Sequence, residues 1–215
     1  MFPKSWYPDT TLPNLAKWQI PSCLRCNKEL GVIENEFFVR VALCLDPNDP
    51  ASRSIVQKAL RAMKPEYAKT QSEKRARTAL AKRITSELLQ GPQIPHGSTY
   101  LSLGERWGRP QGSGMGVVIP VESFRRITEK IVRGITFLED NRYIEPPHNV
   151  HFFALDDEGA RPFQELAEVT GTILAREPGI VVRRVVTPED GITALYEIEF
   201  WKQIKTHAAV LDHAP

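Results

Sequence analysis

The N-terminal half of the chain carries apolar residues at helical spacing in three segments. They predict helices at about 28–45, 50–63 and 73–89, and in the last of these the apolar residues recur every four positions. Asn27 is a favourable N-cap for the first helix, and an Asp-Pro pair is expected to end it. Prolines spread through 1–22 exclude a long helix there, so we expect loop with short extended pieces.

The C-terminal half alternates between helical and β-rich segments, which is typical of an α+β fold. The predicted helices are 121–138 and 162–175, and the predicted strands are 117–119, 150–155, 180–186, 194–201 and 204–210. Alternation places Glu197 and Glu199 on the same face of their strand. We therefore expect a mainly antiparallel sheet with one solvated side.

Changes in composition suggest boundaries along the chain. Gly, Pro and Ser are dense between Gly91 and Gly116, which predicts a linker or a long surface segment. The predicted division is a small N-terminal module (1–46), a basic helical segment (47–91), a linker (92–113) and an α+β domain of unknown role (114–215).

Charge is distributed unevenly along the 215 residues. The net charge of +2 does not by itself indicate nucleic-acid binding, but 52–90 holds ten Lys and Arg against three Asp and Glu. Such a basic helical face either follows a phosphate backbone or is simply solvated. The chain has no apolar run of about 18 residues and no signal-like N-terminus, so we expect a cytoplasmic protein without a membrane span.

Two of the three cysteines are separated by two residues, as Cys23-Leu-Arg-Cys26. Three cysteines are too few for a disulfide framework, and in a cytosolic chain this spacing more often indicates metal or redox chemistry, although taken alone it is equally consistent with a chance pair in a loop. Two thiolates supply only half of the four ligands of a tetrahedral zinc. We expect Cys44 to be a buried thiol.

The neighbours of this pair strengthen the metal interpretation. Phe-Pro-Lys-Ser at 2–5, Asn-Leu at 14–15 and Cys-Leu-Arg-Cys-Asn at 23–27 follow one another in an order and spacing that resembles the HNH endonuclease superfamily. The resemblance covers about 2–31, and more loosely 128–134 is similar to HNH-type proteins of bacteria. It implies a zinc-knuckle ββα module, in which a hairpin and a helix are held together by metal.

The resemblance also implies roles for individual residues. Cys23 and Cys26 correspond to two ligands of a structural zinc, Asn27 to a ligand of the catalytic Mg²⁺ or Mn²⁺, and Asn14 to the residue that orients the general-base histidine. Simpler interpretations are a helix cap for Asn27 and a turn residue for Asn14.

The chain does not contain the other half of the motif, which is an upstream Cys-x-x-Cys and an acidic-His pair. Its five histidines all lie downstream, from His96 onward, so this chain is expected to be inactive. One hypothesis is that the gene model begins too late and the preceding codons encode Glu-His and the second cysteine pair. The alternative is a real truncation that leaves the zinc module unfolded.

These observations predict an HNH-type, metal-dependent endonuclease or nuclease-like protein that acts on nucleic acid, most simply DNA. The residues expected to contact nucleic acid are Lys4, Arg25, Lys28, Lys74, Arg75, Arg77, Lys82 and Arg83. One alternative is a non-catalytic zinc-knuckle protein that binds nucleic acid or a partner. Another is an enzyme-like fold whose α+β domain binds a small ligand.

Overall fold

Helices and antiparallel strands alternate in a computed structural model that describes residues 1–15, 17–46, 48–93, 115–153, 155, 157–175 and 179–212. The helices are α1 (Leu24–Ala42), α2 (Ile55–Met63), α3 (Gln71–Ser86), α4 (Val121–Asp140) and α5 (Asp157–Thr170). The strands are β1 (Leu88–Gln90), β2 (Met115–Val117), β3 (His148–Phe153), β4 (Thr172–Leu174), β5 (Ile180–Val186), β6 (Ala194–Phe200) and β7 (Ile204–Asp212).

The described strands form two antiparallel sheets. β1 pairs with β2, and the other five strands lie in the order β3-β7-β6-β5-β4. In this register Glu197 of β6 lies opposite Arg183 of β5 on one side and His207 of β7 on the other. The predicted α+β class with antiparallel strands is confirmed.

One face of the five-stranded sheet packs against α1 and α4. The ring of Phe37 in α1 lies 5.0 Å from that of Phe124 in α4 and 5.5 Å from that of Phe200 in β6. The last turns of α1, 37–42, are buried on every side because apolar residues occupy each of these positions except Arg40. This helix is therefore central to the core.

The N-terminal segment packs onto the same core. The ring of Trp6 lies 5.8 Å from that of Trp201, whose indole Nε1 donates a hydrogen bond of 3.0 Å to the carbonyl of Trp6. Buried residues from 1–46, 47–91 and 114–215 form one continuous hydrophobic cluster. The core therefore crosses the predicted boundaries, and the division into separate units stays a prediction.

The opposite face of the sheet is partly covered by α5. Phe163 and Ala167 of this helix pack with Val185 and Leu195 of the sheet in a second, smaller cluster. Glu197 lies on this face and is 0% exposed. The expectation of a solvated side is wrong at this position, because α5 excludes water from it.

The start of α1 differs from the prediction. Cys23, not Asn27, is the N-cap, because its sulfur accepts a hydrogen bond from the backbone N–H of Cys26. The backbone N–H of Asn27 already bonds the carbonyl of Cys23 at 2.9 Å, which places Asn27 inside the first turn. The described residues before α1 form a 3₁₀ turn at Lys4–Trp6 and irregular chain, with no strand among them.

The helices of the described segments do not have the character of membrane spans. None of them is both long enough and apolar enough to cross a bilayer.

Candidate zinc half-site and nucleic-acid interface

Cys23 and Cys26 lie together on the first turn of α1, and both are exposed free thiols. The Cys26 backbone nitrogen is 3.2 Å from Cys23 Sγ. A hydrogen bond from the Cys26 thiol, helped by backbone N–H donors, lowers the pKa of Cys23, while the same contact raises the pKa of Cys26. Two accessible sulfurs on one turn suit bidentate capture of a soft cation such as Zn²⁺.

The rest of the zinc coordination is not supplied nearby. Within the described part of the chain, no group of three or more His, Cys, Asp or Glu is placed to hold a metal ion. Cys44, the third cysteine, is partly buried against the core just after the end of α1, and desolvation of its thiol raises its pKa to about 12. The structure therefore brings together two of the predicted ligands and no more.

Asn27 lies one turn after Cys23 on the exposed end of α1. Asn14 is exposed in a turn closed by a 3.1 Å hydrogen bond from the backbone N–H of Leu15 to the carbonyl of Leu12. Neither asparagine side chain makes a hydrogen bond to any described residue. Both amides are thus available to a ligand, although no contact links Asn14 to the cysteine pair.

The exposed end of α1 extends away from the core. Every residue in 21–29 is exposed, and two apolar side chains in or just beyond this stretch, Leu24 and Val32, are each 70% exposed. The first turns of α1 therefore make few contacts with the rest of the described protein.

The predicted nucleic-acid contacts fall into two groups. Arg25, Arg77 and Arg83 are held in ion pairs by glutamates at 2.9, 2.5 and 3.2 Å respectively. The guanidinium of Arg77 also donates to the carbonyl of Arg61 at 2.6 Å, which ties α3 to α2. These three arginines have structural partners within the protein.

The other group consists of cations that are exposed and enter no ion pair with the described residues. Its members are Lys4, Lys28, Lys74, Arg75 and Lys82. The last three lie on α3, a peripheral helix on which only Leu80 and Ile84 are buried. Its outward surface is therefore a row of free cations next to the hydroxyls of Thr78 and Thr85, which suits contact with a phosphate backbone.

The sequence did not predict a buried polar cluster around Glu197. Its carboxylate accepts hydrogen bonds from Arg183 and from Gln164 of α5, and lies 3.3 Å from Nε2 of His207. Desolvation raises the pKa of Glu197, but these donors and the charge of Lys205 outweigh it and lower the value to about 2. The only signal in the sequence was a pair of alternating glutamates, Glu197 and Glu199, in an otherwise apolar strand.

A second buried charge is Arg40, which is 1% exposed in the middle of α1. Its guanidinium forms ion pairs with Glu36 at 2.8 Å and with Glu87 at 2.6 Å, and donates to the carbonyl of Val118. Arg40 therefore joins α1 to the residue just before β1 and to the residue just after β2, which lie at the same end of the two-stranded sheet. Its role is therefore structural.

Comparison of this chain with models of known protein families, with curated proteins and with solved structures found no match.

Proposed function

We propose that this chain is a nuclease-like protein of the HNH type, in which the first turn of α1 is one half of a zinc-supported site acting on nucleic acid. The observation that carries the proposal is the pair of exposed thiols at Cys23 and Cys26 with the free amide of Asn27 beside them. Two thiolates leave two positions of a tetrahedral zinc open, so a second polypeptide segment must complete it.

Asn27 has a separate role in this proposal. Its side-chain oxygen is a hard ligand of the kind that Mg²⁺ and Mn²⁺ prefer, and it lies on the same turn as the zinc ligands. A divalent ion held there would stabilise the charge that develops on a phosphate during hydrolysis. The module still needs a general base, and the described histidines, His148, His151 and His207, lie in strands of the five-stranded sheet and not at this end of α1. The zinc-knuckle ββα module of the resemblance is part of this proposal.

The metal half of the proposal is tested by titrating the chain with Co²⁺ as a spectroscopic substitute for Zn²⁺. Bound cobalt should show thiolate-to-metal absorption that is lost in both Cys23→Ser and Cys26→Ser. Cys44→Ser is the matched control, because Cys44 is partly buried beyond the other end of α1. Absorption that survives both substitutions, or that depends on Cys44, would overturn the zinc assignment.

The catalytic half is tested by nicking of supercoiled plasmid with Mn²⁺. We expect no activity from the chain alone and slow nicking when Zn²⁺ and a peptide that carries a Cys-x-x-Cys and an acidic-His pair are added, because the peptide supplies the general base and the two remaining zinc ligands. Asn27→Ala should remove this activity, while Asn35→Ala, which changes another exposed amide of α1, should retain it. No nicking with the peptide, or equal nicking by the two variants, would overturn the nuclease proposal.

A second candidate, a non-catalytic nucleic-acid-binding protein, is favoured by the free cations of α3. Each phosphate contact steepens the dependence of DNA affinity on salt by about one unit of log–log slope. Lys74→Ala combined with Lys82→Ala should therefore reduce the slope by about 2. Arg161→Ala combined with Lys202→Ala removes the same charge from other exposed positions and should leave the slope unchanged. Equal effects of the two pairs would show that α3 is not the interface.

A further inference from the structure

We propose that Cys23 and Cys26 form a redox-active dithiol that exchanges with small-molecule disulfides and closes to an intramolecular disulfide. The dithiol itself does not depend on the proposed function. Its consequence for metal binding rests on that function, because a sulfur that is bonded to another sulfur no longer provides a thiolate ligand for zinc.

The backbone already places the two sulfurs within reach of each other. The sulfur of Cys23 lies 3.2 Å from the backbone nitrogen of Cys26, and the two thiols are themselves in hydrogen-bond contact. Cys23 has extended backbone angles, φ −67° and ψ 153°, and its side chain folds back over the first turn to reach the N–H of Cys26. Closing the disulfide therefore needs rotation of the side chains and little movement of the main chain.

The exposure of the three cysteines favours thiol–disulfide exchange at Cys23 and Cys26 over exchange at Cys44. Cys23 and Cys26 are both exposed, together with every residue around them from 21 to 29. Cys44 is partly buried against the core, and its thiol donates a hydrogen bond of 3.5 Å to the carbonyl of Arg40. Thiol–disulfide exchange requires in-line approach to a sulfur, so the exposed pair should react and Cys44 should not.

The exposed position also limits what the disulfide can disturb. The first side chains that anchor α1 to the core are Ile33 and Glu34, about two turns after Cys26. A change in side-chain geometry at the first turn is therefore separated from the packed part of the helix. The protein should remain folded in both redox states.

The exchange is balanced with a glutathione-type disulfide as the oxidant. The thiolate of one cysteine attacks a sulfur of the small disulfide, forming a mixed disulfide and releasing one small thiolate. The second cysteine loses its proton to water, attacks the protein sulfur of the mixed disulfide and releases the second small thiolate. The protein loses two electrons and two protons, and the small disulfide is reduced to two thiols.

The test uses the full chain in EDTA, equilibrated with mixtures of reduced and oxidised glutathione and then alkylated. Peptide mass spectrometry should show that Cys23 and Cys26 become protected together, with the mass of a disulfide between them, while Cys44 stays reduced. Cys23→Ser and Cys26→Ser should each stop at a mixed disulfide with glutathione on the remaining cysteine. Absence of the Cys23–Cys26 disulfide, or a disulfide that includes Cys44, would overturn the proposal.

A second arm adds Zn²⁺ at saturation instead of EDTA. If the zinc half-site of the proposed function is also correct, disulfide formation should slow by at least tenfold, because the thiolates are engaged by metal. Equal rates in zinc and in EDTA would remove the zinc assignment and leave the dithiol in place. The two proposals can therefore fail separately.

Discussion

Replacing the buried carboxylate of Glu197 by an amide should destabilise the protein in a pH-dependent way. The residue is 0% exposed, and the pKa of about 2 lies well below the ordinary value of 4.5 because Arg183, Gln164 and His207 bond the ionised form. A difference of this size corresponds to about 3 kcal/mol of stability. Glu197→Gln keeps the shape of the side chain and removes the charge.

The direction of the pH effect on stability follows from which state of the protein, folded or unfolded, binds a proton at Glu197. Between pH 4.5 and about 2 an unfolded chain has its glutamate protonated, while the folded chain keeps Glu197 ionised, so acid favours unfolding across this window. The stabilisation is complete above the unfolded pKa and is lost as the pH falls through the folded pKa. The wild type and Glu197→Gln should therefore differ by about 3 kcal/mol at pH 7 and by much less near pH 2.

Urea unfolding followed by circular dichroism at pH 7, 4 and 2.5 measures this difference. Glu199→Gln is the matched control on the same strand and face, since its carboxylate has a single longer contact with Arg183 at 3.3 Å. We expect the control to lose about 1 kcal/mol or less. A loss in Glu197→Gln that is independent of pH, or no larger than that of the control, would refute the reasoning.

Other substitutions test the packing that holds α1 and the sheet together. Arg40→Met leaves two glutamate carboxylates without their buried partner and should cost about 3 kcal/mol in urea unfolding, and a cost below about 1 kcal/mol would contradict a structural role. Tyr196→Phe removes the 2.9 Å hydrogen bond to Thr136 and should cost about 1–2 kcal/mol, whereas Tyr143→Phe, at an exposed ring, should change the unfolding midpoint little. Phe37→Ala should cost about 4 kcal/mol, and a melting temperature within a few degrees of wild type would show that the site collapses to fill the cavity.

The sequence predicted only those features of the candidate site that depend on residues close to one another along the chain. The spacing of Cys23 and Cys26 predicts two neighbouring thiols, but the predicted helix began at about 28, whereas α1 begins at Leu24 and carries Cys26 in its first turn. The role of Asn27 as helix cap was wrong, because a cysteine sulfur four residues earlier accepts the N–H that a cap must satisfy. Capping depends on which side chain reaches the first free N–H, and this is decided by the path of the chain into α1.

Free and paired cations could not be separated from the sequence. Arg75 and Arg77 lie two residues apart in the same basic run, yet Arg75 is exposed without an ion pair among the described residues and Arg77 is held by Glu73 and a carbonyl of α2. The difference comes from the direction in which each side chain leaves α3 relative to α2. Charge counting alone assigns both to the same interface.

The sequence by itself determined the elements whose signal is periodic. It predicted the helix at 121–138 and the strands at 180–186 and 194–201 close to their observed bounds, because burial of one face requires a repeat of 3.6 or 2 residues. Tertiary structure decided what covers those faces. Glu197 was expected on a solvated face, but α5 covers it and its carboxylate is buried. The burial of a strand residue depends on elements that are distant in the chain, and the sequence of the strand does not specify them.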